Sequence, residues 1–129
     1  MPRKPSSQPN DVELAILRAL WERGPSSVRE VHDTLKRSRE TGYTSTLKMM
    51  QVMLEKGLLK RDESRRPQVY RPAVPEAQTQ RKILHELIQK VFGGSARKLV
   101  LRAVESHRID KDELTEIRDL LKQLERGEQ

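Results

Sequence analysis

The sequence predicts a mainly α fold: a winged helix-turn-helix (three helices plus a β-hairpin wing) with a C-terminal helical dimerisation region. Three observations predict it. Three short apolar-periodic segments precede Gly57, two extended runs then flank a basic tip, and beyond Pro75 the apolar stripes become thin and single-faced. The chain accordingly divides into a flexible arm (1–10), a winged-helix domain (11–74) and a helical dimerisation domain (75–129).

The first helix starts at an Asn10 or Asp11 cap and runs to about Arg23, where "GP" at Gly24–Pro25 ends it. Leu14, Leu17 and Trp21 share one of its faces, while Ile16 and Leu20 lie on another, so this helix is expected to be covered from two sides. "SSVREVHDTLKR" opens the second helix. Ser27 and Glu30 have capping-box spacing, and Val28, Val31 and Leu35 form the stripe.

A polar connection, "SRETG", leads to a third helix over about Tyr43 to Lys56. At about 100° per residue, Thr46, Leu47, Met50, Met53 and Leu54 fall on the core side. Ser45, Lys48, Val52 and Glu55 point away, with Thr44 and Gln51 beside them and Met49 on the border. Gly57 supplies the stop.

"LLKRD" and "QVYRP" then flank "ESRRP", a hairpin with Arg65 and Arg66 at its tip. In the next segment Leu84, Leu87, Ile88 and Val91 share one stripe, broken by "GGS" at Gly93–Ser95. Ser95 can cap a helix holding Leu99, Val100, Ala103 and Val104. Asp110 with Glu113 has capping-box spacing ahead of the last stripe, Leu114, Ile117, Leu121 and Leu124. Alone, these three helices would leave apolar surface wet, which favours burial against a second copy.

Charge is unevenly spread. Up to Val74 there are 15 Lys and Arg against 9 Asp and Glu, a balance of +6; from Pro75 on, 11 against 10 leave +1. The basicity therefore sits in the part that would face a polyanion. With no Cys, disulfides, Cys-based zinc sites and cysteine nucleophiles are excluded. No apolar run approaches the ~18–20 residues of a membrane span, so no membrane insertion is expected. "MPRKPSSQPN" lacks the apolar region of a secretory signal and reads as a short disordered arm, with a cytoplasmic location expected.

Catalysis finds little support. His32, His85 and His107 fall in separate helices without paired spacing, and "DKDELTE" lacks the glycine and spacing of a calcium loop. There is no phosphate loop or nucleophile elbow. The expectation is a protein without enzymatic activity, metal or cofactor.

Double-stranded DNA is the partner that the residue chemistry suits. A helix entering the major groove needs short or linear polar side chains in its first turns. Thr44, Ser45, Lys48 and Gln51 have that chemistry: Gln suits adenine, Lys suits guanine or phosphate, and Thr44 and Val52 offer methyls to thymine. Arg65 and Arg66 could reach flanking phosphates or the minor groove. Arg29, Lys36, Arg37 and Arg39 could anchor the second helix and the turn on the backbone. The competing reading is a winged-helix protein-interaction module without sequence-specific readout.

"ELAILRALWERGPSSVREVHDTL", "GYTSTLKMMQVMLEKGLLKRD", "VYRPAV" and "KVFGGSARKLVLRAVESHRIDKDELTEIRDLLKQLE" together resemble the penicillinase-repressor family, also called BlaI/MecI/CopY, over about Glu13 to Glu125. The resemblance implies a homodimeric repressor that binds palindromic operators and controls genes of beta-lactam resistance or stress. By position, "YTSTLK" begins the recognition helix and "RDESRRPQVY" is the wing, while the C-terminal helices intertwine with a partner copy. Two departures stand out. The metal-responsive branch carries a cysteine pair near its C-terminus, which this chain lacks. The antibiotic-responsive branch is cleaved at an Asn-Phe bond, where this chain has Arg102–Ala103, so a sensor-protease partner and the inducing signal stay open.

Overall fold

The computed structural model describes residues 8–127, so most of the expected arm (residues 1–7) lies outside the described residues. Helix α1 (Asp11–Arg23) begins at Asn10, whose side chain accepts from the Glu13 amide while the Glu13 carboxylate accepts from the Asn10 amide, each at 2.9 Å. This reciprocal pair satisfies two amides that the first helical turn cannot satisfy itself. At the far end Gly24 takes φ +83°, a left-handed value that favours glycine, and its amide donates to Leu20 O.

The same device starts α2 (Val28–Leu35), with Ser27 and Glu30 in the predicted box. Arg23 closes the corner between the two helices by donating to Glu30 and Thr34, both at 3.2 Å. A turn from Lys36 to Gly42 leads to α3 (Tyr43–Glu55).

Packing of these three helices makes the core: Ile16, Leu17, Ala19 and Leu20 meet Val28, Val31, Leu35, Met50 and Met53. The core stripe expected on α3 is present, with Thr46, Met50 and Met53 buried and Leu47 and Leu54 partly so. On α1 the two expected faces differ in depth. Ile16, Leu17 and Leu20 are buried, whereas Leu14 and Trp21 are half-buried and the indole Nε1 of Trp21 is buried without a hydrogen-bond partner.

Strands β1 (Leu59–Asp62) and β2 (Val69–Pro72) pair antiparallel, with Leu59 opposite Pro72 and Asp62 opposite Val69. Leu59 and Tyr70 turn into the core. The hairpin is also tied to the α1–α2 corner: Ser26 and Tyr70 exchange two backbone hydrogen bonds of 3.0 and 2.8 Å. This bridge fixes the loop-side half of the hairpin beside the start of α2.

The chain divides into two compact units, one reaching Ile83 and the other starting at Leu84. Helix α4 (Glu76–Val91) therefore contributes its first turns, including buried Thr79, to the winged-helix unit. The second unit contains the rest of α4, α5 (Ala96–Ser106) and α6 (Lys111–Glu125). Ser95 caps α5 as expected, accepting from the Lys98 amide. At α6 half of the expected box forms: Asp110 accepts from the Glu113 amide, the Asp110 amide gives no return bond to Glu113, and the nearby Asp110 charge holds the Glu113 carboxyl above the usual carboxylate value.

No residue of α5 or α6 is buried. Large apolar side chains stay exposed: Leu84 and Leu87 on α4, Val100 and Val104 on α5, and Leu114, Ile117, Leu121 and Leu124 on α6, with Val91 exposed to 65%. Ile88 and Leu99 of the same stripes are half-buried, and Leu101 and Leu120 add to the exposed apolar surface.

One polar interaction crosses the winged-helix core. Glu13, with no exposed surface, takes both a 3.0 Å and a 3.2 Å hydrogen bond from Lys56 Nζ just past α3. Removing the cation strands a buried carboxylate, whereas neutralising the carboxylate strands only a partly solvated ammonium. Lys56→Met should therefore cost about 2–3 kcal/mol, and Glu13→Gln visibly less. Urea unfolding of both variants checks the order; an equal or smaller loss in Lys56→Met would contradict it.

Candidate nucleic-acid interface

The first turn of α3 is electrostatically unusual. Its N-cap is Gly42, which has no side chain to accept the first amides, and no acidic residue lies in that turn. The positive end of the helix dipole is thus left for an outside acceptor. Thr44 and Ser45 are exposed in that turn, and Lys48 and Gln51 are exposed on the turns that follow.

Val52 corrects the sequence reading. Expected to point outward beside Ser45 and Lys48, it is half-buried, because it stands three residues after half-buried Met49 on the same edge of the helix. It is thus less available to thymine than Thr44.

Arg29 leaves the exposed side of α2 and lays its guanidinium 4.3 Å above the ring of Tyr43, the first residue of α3. His32, buried in the second turn of α2, meets the same ring edge-on at 5.9 Å, and its Nδ1 lies 3.4 Å from Thr46 Oγ1. Thr46 gives its own hydroxyl proton to Gly42 O, so its oxygen is free to accept from the imidazole. These contacts lock the start of α3 against α2.

Sequence reasoning missed Tyr43 as a member of this surface. Its pairing with Arg29 spans a turn of undetermined shape and follows no periodicity; the only visible signal was an aromatic at the start of a polar-faced helix.

The wing adds to the same side of the unit. A cavity of about 190 Å³ is lined by Ser27, Arg29, Tyr43, Leu47, Pro67 and Gln68 among others, so the start of α2, the start of α3 and the wing loop converge there. Arg65 and Arg66 are exposed at the tip, before a cis Arg66–Pro67 peptide. Lys36 and Arg37 are exposed in the turn after α2, Lys36 lying 3.8 Å from Asp33, and Arg39 is exposed further along. Of the predicted site residues, the structure gathers Arg29 with the α3 start and the wing loop.

The tip is ordered by Asp62, whose carboxylate accepts from the Ser64 hydroxyl at 2.6 Å and from the Ser64 amide at 3.0 Å. Those bonds, aided by the Arg65 and Arg71 charges, hold the Asp62 carboxyl below its usual value of 3.8. Because the folded value is depressed, the support is fully present above the ordinary value and is lost as pH falls through the lowered one. The Ser64 amide should accordingly titrate with a midpoint below 3.8 in NMR spectra recorded against pH. A midpoint at or above that value would show the turn is held otherwise.

A family model described as penicillinase repressor matches residues 10–123 of the chain. Transcriptional regulator BlaI of Mycobacterium tuberculosis (strain ATCC 25618 / H37Rv) is 29% identical over 119 residues, covering 91% of this chain and 85% of the relative. Methicillin resistance regulatory protein MecI of Mammaliicoccus sciuri is 22% identical over 112 residues, 87% of this chain and 91% of the relative. The penicillinase repressor of Staphylococcus aureus is 21% identical over 109 residues, 84% and 86% of the two chains.

Proposed function

The chain belongs to the penicillinase repressor family, and on that premise we propose that it acts as a homodimeric repressor that reads palindromic operator DNA. Its relatives are transcriptional regulators and repressors by name, and no helix among the described residues is long and apolar enough to cross a membrane.

The observation that carries the DNA reading is the convergence of an uncapped, polar-faced helix start with Arg29, Tyr43 and the loop of a basic wing. In the proposed complex α3 enters the major groove, where Thr44, Ser45, Lys48 and Gln51 meet base edges. Arg29, Lys36, Arg37, Arg65 and Arg66 hold phosphates on either side, supplying most of the affinity but little selection. Tyr43 braces Arg29 for that task.

Dimerisation rests on the uncovered stripes of α4, α5 and α6. A unit without a buried residue on α5 and α6 needs an external apolar surface, and an identical copy offers one with the same stripes. Two linked half-site contacts raise the effective concentration of the second subunit, so that losing the dimer loses the operator. Genes of beta-lactam resistance or stress are the proposed targets. With Arg102–Ala103 exposed on α5, cleavage by a sensor protease would follow a different dipeptide from that of the antibiotic-responsive branch.

Lys48→Ala or Gln51→Ala should weaken operator binding by roughly 1–3 kcal/mol and leave binding to random duplex nearly unchanged. Joint replacement of Arg65 and Arg66 by Ala should instead weaken every duplex and flatten the salt dependence. Titrations at two salt concentrations decide this: equal losses on operator and random DNA from the α3 variants would remove base reading. For the assembly, Leu114→Asp and Leu121→Asp should each give monomers in sedimentation, and intact dimers would exclude α6 from the interface.

A further inference from the structure

A cavity of about 460 Å³ opens within the winged-helix unit at the end of α3 remote from Thr44. Its walls include Leu58, Val74 and Ile83, and its polar members include Lys56, Lys82 and Thr79. The volume falls in the roughly 300–1,000 Å³ range of small-molecule sites.

Two of those polar side chains are not accounted for by the fold. Thr34, Thr46 and Thr115 each turn the hydroxyl back onto the carbonyl four residues earlier, the ordinary way to satisfy a helical threonine. Thr79 does not. The carbonyl it would use, that of Pro75, already accepts the amides of Gln78 and Thr79 itself, and the Thr79 hydroxyl has no partner among the described residues although the residue is only 9% exposed. Lys82, one turn along the same face of α4, has no carboxylate partner among the described residues either. Lys56 is already paired with Glu13, which leaves Lys82 as the uncompensated cation among the described lining residues.

We infer that this cavity binds a small organic acid with one carboxylate and an apolar body. The apolar walls take the body, the Lys82 ammonium pairs with the carboxylate and the Thr79 hydroxyl donates to it. A cation would meet the Lys82 ammonium, and a bare phosphate would leave Leu58, Val74 and Ile83 uncovered. The start of α3 lies at the other end of a thirteen-residue helix, about 18 Å away at the usual helical rise, so occupation does not block the DNA-reading face. The site therefore stands independently of the operator reading.

The probe is octanoate, with octanol as its uncharged counterpart, added to the full-length protein without DNA and followed by amide NMR shifts. Saturable shifts at Leu58, Val74, Thr79 and Ile83 are expected with octanoate. Octanol, and octanoate on Lys82→Gln, should bind about tenfold more weakly, the loss of one charge-assisted contact. Thr79→Val, which keeps the shape and removes the hydroxyl, should weaken octanoate but not octanol. The inference is overturned if those amides do not shift saturably, if octanol matches octanoate, or if the shifts gather on the exposed leucines of α6. It is equally overturned if the same amides move with protein concentration alone, which would assign the cavity to a second copy.

Discussion

The buried Glu13 carboxylate is the constraint on which the winged-helix unit depends. It serves two unrelated tasks with one charge: it closes the cap that starts α1, and it holds Lys56 at the end of α3. An unpaired carboxylate at that depth would be untenable, so the chain can bury Glu13 only in a packing that brings the α3 terminus to the α1 start. Apolar contacts between Ile16, Leu20, Met50 and Met53 are non-directional, whereas the buried carboxylate must keep a cation within hydrogen-bond reach. That pair ties the end of α3 to the start of α1, and the Tyr43 contacts tie its other end to α2.

Much of the architecture was legible in the sequence because it rests on local chemistry. The Ser27–Glu30 box, the α3 core stripe, the Gly24 stop and the hairpin each follow from residues within one or two turns of each other, and each is present. What escaped notice depends on distance along the chain. Glu13 and Lys56 are 43 residues apart, and Arg29 and Tyr43 belong to different helices. Neither the Glu13–Lys56 nor the Arg29–Tyr43 pairing follows from periodicity or local spacing. The half-burial of Val52 was missed for a related reason: a helical wheel sorts directions but does not say how wide the neighbouring helices are.

The two units also differ in how they solve the burial problem. The winged helix hides a complete set of apolar side chains and reserves its charged ones for the rim. The C-terminal helices do the reverse, presenting ordered stripes of Leu, Ile and Val without a core of their own. Their regular caps at Ser95 and Asp110 make well-formed helices of them, so the exposed stripes belong to folded segments rather than to unstructured chain.

Trp21 gives this division an optical expression. It is the single tryptophan of the chain, and it packs against the winged-helix core with its indole N–H shut away from water. Its emission therefore reports one unit only, while far-ultraviolet circular dichroism weights every helix. Comparing the two signals separates loss of the C-terminal helices from loss of the winged helix, so the unit that carries no tryptophan can be followed without a label.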